Sequence, residues 1–162
     1  MLLPSAARTP GLRAFLLPAL AVAFLLVGAG SAWAAPRAAS IIIDADTGEV
    51  LQASNADIRT YPASLTKMMT LYLVFDALDA GRLRLDQQLS VSSHASRQSP
   101  SKLALMPGQT IAVEDVILAL VTKSANDAAV VAAEALGGSE DRFAQMMTSR
   151  ARQLGMRQTT FH

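Results

Sequence analysis

Between Ser64 and Gly81 the chain has neither glycine nor proline, and the helix this predicts is apolar on nearly every side: Leu65, Met68, Met69, Leu71, Tyr72, Leu73, Val74, Phe75 and Leu78. A helix with that pattern is covered all round, inside a sizeable domain or in a membrane. Its length and the charges of Lys67, Asp76 and Asp79 make it a poor membrane span. It therefore demands protein partners, and the choice of partners limits what the rest of the chain can be. Pro62 and Ala63 lead into it, and Gly81 suits the left-handed position just past a helix end.

Strand signals are few. Residues 40–44 and 50–53 are joined through Asp46-Thr47-Gly48-Glu49, a good hairpin turn. An isolated hairpin is marginal, and a sheet that covers such a helix needs more strands. The rest of the chain reads as helical. Residues 113–122 place Glu114 and Asp115 in a first turn and Val113, Val116, Ile117 and Leu120 on one face. Residues 127–136 form a second helical run. A third is capped by Ser139, carries Glu140 and Asp141 in its first turn and ends at Gly155. There Phe143, Met146, Met147 and Leu154 form a core stripe, and Arg142, Arg150, Arg152 and Arg157 a solvated face. There is no internal repeat, low-complexity tract or second domain.

The apolar helix opens on Ser64-Leu65-Thr66-Lys67. Residues three apart share a helix face, so the Ser64 hydroxyl and the Lys67 amine can meet without help from the rest of the fold. Such a pair is a nucleophile with its own base, and the free N–H groups of a first turn favour developing negative charge. On the pair alone, an N-cap serine is an equal reading. The pattern also recurs at Ser99-Pro100-Ser101-Lys102, but with polar residues before it and Pro107-Gly108 after it, which reads as a loop. A further element, Lys123-Ser124-Ala125-Asn126-Asp127, sits between two helical runs, where Ser and Asn are good caps.

The N-terminus reads as a leader. Arg8 and Arg13 precede an uncharged run over residues 14–36, and Ala32-Trp33-Ala34 offers a small-residue cleavage site. Residues 1–34 are thus expected to be a signal peptide and residues 35–162 the mature part, exported to the periplasm or cell envelope. An uncleaved anchor is the alternative, which Pro18, Gly28 and Gly30 disfavour. Two of the fourteen basic residues lie in the leader, leaving twelve against thirteen acidic ones, so nothing points to nucleic acid. Zero cysteines excludes a disulfide scaffold. With only His94 and His162 besides, no metal site and no cofactor are expected. His94, in a polar loop, reads as a solvated residue.

Taken together, "YPASLTKMMT", "SKLALMPGQTIAVEDVILAL", "VTKSANDAAVVAAEALGGS" and "LGMRQTTF" resemble the wording of the serine-type D-alanyl-D-alanine carboxypeptidases, the low-molecular-mass penicillin-binding proteins. The resemblance runs from about Ala38 to the last residue. It implies an α+β, penicillin-recognising fold of the β-lactamase and transpeptidase type, here with the N-terminal hairpin of its antiparallel sheet and its helical subdomain. It implies Ser64 as acylated nucleophile, Lys67 as the group that takes its proton, Ser124 as a relay toward the leaving D-alanine and Asn126 as a substrate-binding residue that orders Lys67. The partners implied are the D-Ala-D-Ala end of peptidoglycan stem peptides and β-lactams as acylating inhibitors, with peripheral membrane association through a segment beyond His162 also allowed.

One signature of that family departs. Its Lys-Thr-Gly on a strand edge, which helps bind the substrate carboxylate, has no counterpart here: no Lys-[Ser/Thr]-Gly occurs, and the last lysine is Lys123. The expectation is therefore an N-terminal piece of a catalytic domain, with its own turnover in doubt. A D,D-endopeptidase is the near rival and a non-catalytic remnant the alternative from another class. The Met-Met-Thr after Lys67 and Ala125 suit the carboxypeptidases better than a β-lactamase.

Overall fold

A single carboxylate organises the first hairpin. Asp44 Oδ1 accepts from the backbone N–H of Thr47 at 2.8 Å and of Asp46 at 3.2 Å, and from the Thr47 hydroxyl at 2.8 Å. The Thr47 hydroxyl, more than any other partner, draws the Asp44 carboxyl below its ordinary range. Gly48, at φ +75°, supplies the left-handed residue that returns the chain. The computed structural model describes residues 38–162; the leader and its Ala32-Trp33-Ala34 site lie outside the described residues. The chain divides after Ile58 into two compact units, and the hairpin belongs to the first.

In that hairpin β1 (Ser40–Ile43) pairs antiparallel with β2 (Val50–Ser54), Ser40 opposite Ser54. A bulge between Ile42 and Ile43 brings Ile43 opposite Val50. All nine residues of the two strands are exposed, and Ile41, Ile42, Ile43, Val50 and Leu51 leave half or more of their surface open.

The second unit, from Arg59, is mainly helical. A 3-10 turn (Ala63–Leu65) feeds α1 (Thr66–Asp79), whose end is a Schellman arrangement: Gly81 N–H bonds Leu78 O and Arg82 N–H bonds Ala77 O. There follow β3 (Gln88–Ser90), the single-turn α2 (Ser93–Ser96), β4 (Thr110–Ala112), α3 (Val113–Lys123), α4 (Asn126–Gly137) and α5 (Glu140–Gln153). The strands β3 and β4 pair antiparallel with Leu89 opposite Ile111, both buried on one face. This small sheet corrects the expectation that everything after the hairpin is helix. Three-residue strands are too short to show alternation, so no period marks them.

The helix packed on most sides is α4, not α1. Ala128, Val130, Val131, Ala132 and Ala133 are all buried, and α1, α2, α3, α5 and β3 pack around it. Its alanines let neighbours approach closely. Gly137 extends the same economy: a Cβ there would lie 2.7 Å from Phe143 N, where α5 crosses. By contrast α1 buries Met69, Leu73, Val74 and Ala77 on one face, while Leu65, Met68, Tyr72 and Phe75 stay exposed. The all-round apolar pattern of α1 thus exceeds the partners it meets in this unit. Among the described residues no helix is long and apolar enough to cross a membrane.

The end of the chain also differs from expectation in places. Ser139 does cap α5, accepting from Arg142 N–H at 3.3 Å, and Gly155 at φ +85° follows its end. Leu154, however, is largely exposed rather than in the core stripe. Two arginines of the supposed solvated face have partners. Arg150 pairs with Asp76 on α1 and lies over the Tyr72 ring at 5.4 Å. Arg152 donates at 2.6 Å to the carbonyls of Met156 and Thr159, tying down the last residues. His94 is exposed as expected, and it bonds the Glu140 carboxylate.

Candidate active site

The start of α1 and the start of α4 meet through side chains. Lys67, in the first turn of α1, donates from Nζ to Asn126 Oδ1 at 2.7 Å, across fifty-nine residues of sequence. Asn126 opens α4, and both ends of its amide are committed. Nδ2 donates to Ser99 O at 2.9 Å while Oδ1 faces the amine, so donor and acceptor assignments agree with each other. The backbone N–H of Asn126 donates to Ser101 O at 2.8 Å. Lys67 is partly buried, and that burial pushes its amine below the ordinary lysine value of 10.5. A lysine so placed loses its proton more readily than one in water.

Ser64 lies in the 3-10 turn, exposed, three residues before Lys67 and at the positive end of α1. It caps nothing: the residue at the N-cap of α1 is Leu65, without a side-chain cap bond. Among the described residues, no hydrogen bond joins the Ser64 hydroxyl to the Lys67 amine, whose bond goes to Asn126. The two groups therefore share a turn without a hydrogen bond between them. In an enzyme without substrate this is common, because such contacts tighten only when the reacting group arrives.

The cap reading of Ser124 and Asn126 also fails on geometry. Ala125 holds the N-cap position of α4 and has no side-chain oxygen to offer. Ser124 ends α3 in the left-handed region, at φ +52°, a strained place for a serine. Its hydroxyl is buried and finds no hydrogen-bond partner among the described residues. A buried hydroxyl left so costs about 1–3 kcal/mol, and with the strain it marks a position not chosen for stability.

Two features of this region escape a reading of the sequence. The loop of the second Ser-x-x-Lys pattern adjoins Asn126 through the carbonyls of Ser99 and Ser101, which no side-chain motif reveals. Asp127 is wholly buried and bonds the N–H groups of Leu103 at 3.0 Å and Leu105 at 3.1 Å. Its one signal was a carboxylate set among Ala125, Ala128 and Ala129, where an apolar face leaves it no water.

Comparison with known proteins agrees over this whole region. A family model described as D-alanyl-D-alanine carboxypeptidase matches residues 30–162. The chain is 37% identical over 122 residues to the D-alanyl-D-alanine carboxypeptidase DacF of Bacillus subtilis, covering 75% of this chain and 31% of that protein. It thus spans about a third of that relative's length. Among solved structures it resembles the D-alanyl-D-alanine carboxypeptidase DacD of Francisella tularensis, with a TM-score of 0.73 and 34% identity, covering 79% of this chain and 30% of that one. It also resembles penicillin-binding protein D2 of Listeria monocytogenes in its ampicillin-bound form, with a TM-score of 0.63 and 36% identity over 72% of this chain and 46% of that one.

Proposed function

The chain belongs to the D-alanyl-D-alanine carboxypeptidase family and has its α+β, penicillin-recognising fold, and from that premise we propose that Ser64 is the nucleophile of a serine-type carboxypeptidase. The substrate is the D-Ala-D-Ala end of a peptidoglycan stem pentapeptide. Ser64 Oγ attacks the carbonyl between the two D-alanines, and the neutral Lys67 amine takes its proton. The oxyanion forms beside the N-terminus of α1, where backbone N–H groups and the helix dipole favour negative charge. Ser124 passes a proton to the departing D-alanine amine, and water then hydrolyses the acyl-Ser64 ester. The chemistry uses side chains and backbone alone. A β-lactam enters by the same attack, and ring opening leaves no group to depart. The protein is exported, with its mature part beginning at or near Ala35.

The single observation that carries this reading is the bond from Lys67 Nζ to Asn126 Oδ1. It joins the two signature elements through a lysine that lies one turn after Ser64 and that burial has made easier to deprotonate. The test uses a fluorescent penicillin. Because the chain spans about a third of DacF, labelling is measured on the chain itself and on a chimera extended past His162 by the remaining part of that relative. The chimera is expected to label, with the adduct on the tryptic peptide 60–67, and to release D-alanine from a Lys-D-Ala-D-Ala peptide without cutting a cross-linked dimer. An adduct elsewhere, or cleavage of the dimer alone, overturns the reading.

A further inference from the structure

Among the described residues, Asp127 is the only charged side chain that is fully buried. No basic side chain there pairs with it. Burying a carboxylate is costly unless hydrogen bonds replace its water. Three N–H groups do so here. Oδ1 accepts from Ala128 at 2.9 Å and Leu103 at 3.0 Å, and Oδ2 accepts from Leu105 at 3.1 Å. Asp127 also lies in the first turn of α4, where the helix dipole favours its charge.

A residue that only capped α4 would bond its own helix. Asp127 instead directs two of its three bonds to an irregular segment more than twenty residues away in sequence. That segment, residues 99–105, has no ladder or helix bonds of its own. Asn126 holds it through the carbonyls of Ser99 and Ser101, and Asp127 holds it through the N–H groups of Leu103 and Leu105. Two consecutive residues of α4 thus clamp one stretch of backbone by opposite chemistry, one donating and the other accepting. The carbonyl of Ser99 in turn fixes which end of the Asn126 amide faces Lys67.

We infer that Asp127 is a positioning residue, which pins segment 99–105 against α4 so that the segment's carbonyls aim Asn126 Oδ1 at the Lys67 amine. The inference rests on the reading of Ser64 and Lys67 as the acylating pair for its effect on rate, but not for its effect on geometry. The bond network predicts that loosening Leu103 and Leu105 frees Ser99 and Ser101, and with them the Asn126 side chain.

The geometric arm uses amide hydrogen exchange by NMR on the full chain. Asp127→Asn keeps the shape and one acceptor but sets an NH2 against the Leu105 N–H. The Asn126 side-chain amide and the Leu105 N–H should exchange at least about tenfold faster, while Val131 in the middle of α4 keeps its protection. An unchanged Asn126 amide overturns the inference, and so does protection lost throughout α4 and α5, which would make Asp127 a residue of the fold. Asp127→Ala should give the larger effect; if it does not fold, the Asn variant decides.

The rate arm uses acylation of the extended chimera by fluorescent penicillin. Asp127→Asn should slow acylation on the order of a hundredfold, as misplacement of a reacting group does. In an Asn126→Ala background the same change should cost no more than about threefold, because its route is already cut. Losses that multiply overturn the inference. If the unmutated chimera fails to label, the proposed function falls, and the exchange arm still decides the role of Asp127.

Discussion

Ser64 to Lys67 and Ser99 to Lys102 carry the same residue pattern on different backbones. The first pair spans a 3-10 turn and the opening of a fourteen-residue helix. There local backbone alone sets hydroxyl and amine one turn apart, the hydroxyl on the 3-10 turn and the amine on the helix, with no hydrogen bond between them. Its lysine is drawn into partial burial and bonded to a side chain on another helix. The second pair lies on irregular chain. Ser99 is exposed, and Lys102 Nζ bonds a carbonyl of the preceding turn, Ser96 O, at 3.0 Å. What this loop gives the site is main-chain carbonyls, which any residue could supply. On the proposed reading one copy matters for its side chains, while the other meets Asn126 through its backbone alone.

Removing a side chain from each copy is the sharpest way to break that comparison. In the extended chimera, Ser64→Ala should abolish fluorescent penicillin labelling, since the proposed acyl bond is made to its hydroxyl oxygen. Lys67→Ala should lower it to background as well, because a serine hydroxyl without its base is a weak nucleophile at neutral pH. Labelling that survives either change would remove the first copy from its proposed role.

The buried hydroxyl of Ser124 tests the partner signature. Ser124→Ala deletes a hydroxyl that has no hydrogen-bond partner among the described residues, so folding should be little harmed and the melting temperature nearly kept. Acylation should nonetheless slow by roughly a hundred- to ten-thousand-fold, the range of general acid–base help. Stability and rate therefore move apart. A loss of stability without loss of rate would return Ser124 to an ordinary structural role.

How far the sequence discloses all this depends on the range of the interaction. Local chemistry was legible: the turn at Asp46-Thr47-Gly48-Glu49, the Gly81 helix end and the Ser139 cap are set by neighbouring residues, although the part Asp44 plays in that turn was not read. Burial was less so. An apolar count around α1 indicates a need for cover, yet Leu65, Met68, Tyr72 and Phe75 stand exposed, and the helix covered on most sides is the alanine-rich α4. Small residues give a weak hydrophobic signal although they permit the closest packing. The meeting of Lys67 and Asn126 was expected from resemblance, not from pattern, because nothing in spacing says that residues fifty-nine apart will touch. The carbonyls of Ser99 and Ser101 were invisible, since the backbone is the same at every position.

Acidity distinguishes the first copy in a graded way. The Lys67 amine is lowered from 10.5 because partial burial disfavours its charged form. If it acts as base, acylation of the chimera should rise as pH rises through the Lys67 value, by about tenfold per unit, and level off with a midpoint below 10.5. The stability sign follows from the same shift. Between the folded and ordinary values the unfolded chain binds more protons at this site, so its contribution to stability grows as pH rises across that window. Partial exposure keeps that contribution small. A rate profile flat to pH 10.5 would exclude Lys67 as the base.

The smallest effect belongs to the second copy. Ser99→Ala removes an exposed hydroxyl but keeps the carbonyl that accepts from Asn126 Nδ2 at 2.9 Å. Alanine can hold the same carbonyl in place, because neither strand nor helix bonds depend on the side chain there. Surface changes away from packed or bonded groups typically alter stability by no more than about 0.5 kcal/mol, which corresponds to roughly a twofold change in an equilibrium. Acylation of the Ser99→Ala chimera should accordingly stay within about twofold of the unmutated protein, and the mapped adduct should remain on peptide 60–67. A loss of tenfold or more would mean that the Ser99 hydroxyl itself acts. The division between a side-chain copy and a backbone copy would then be wrong at the point where it is simplest to test.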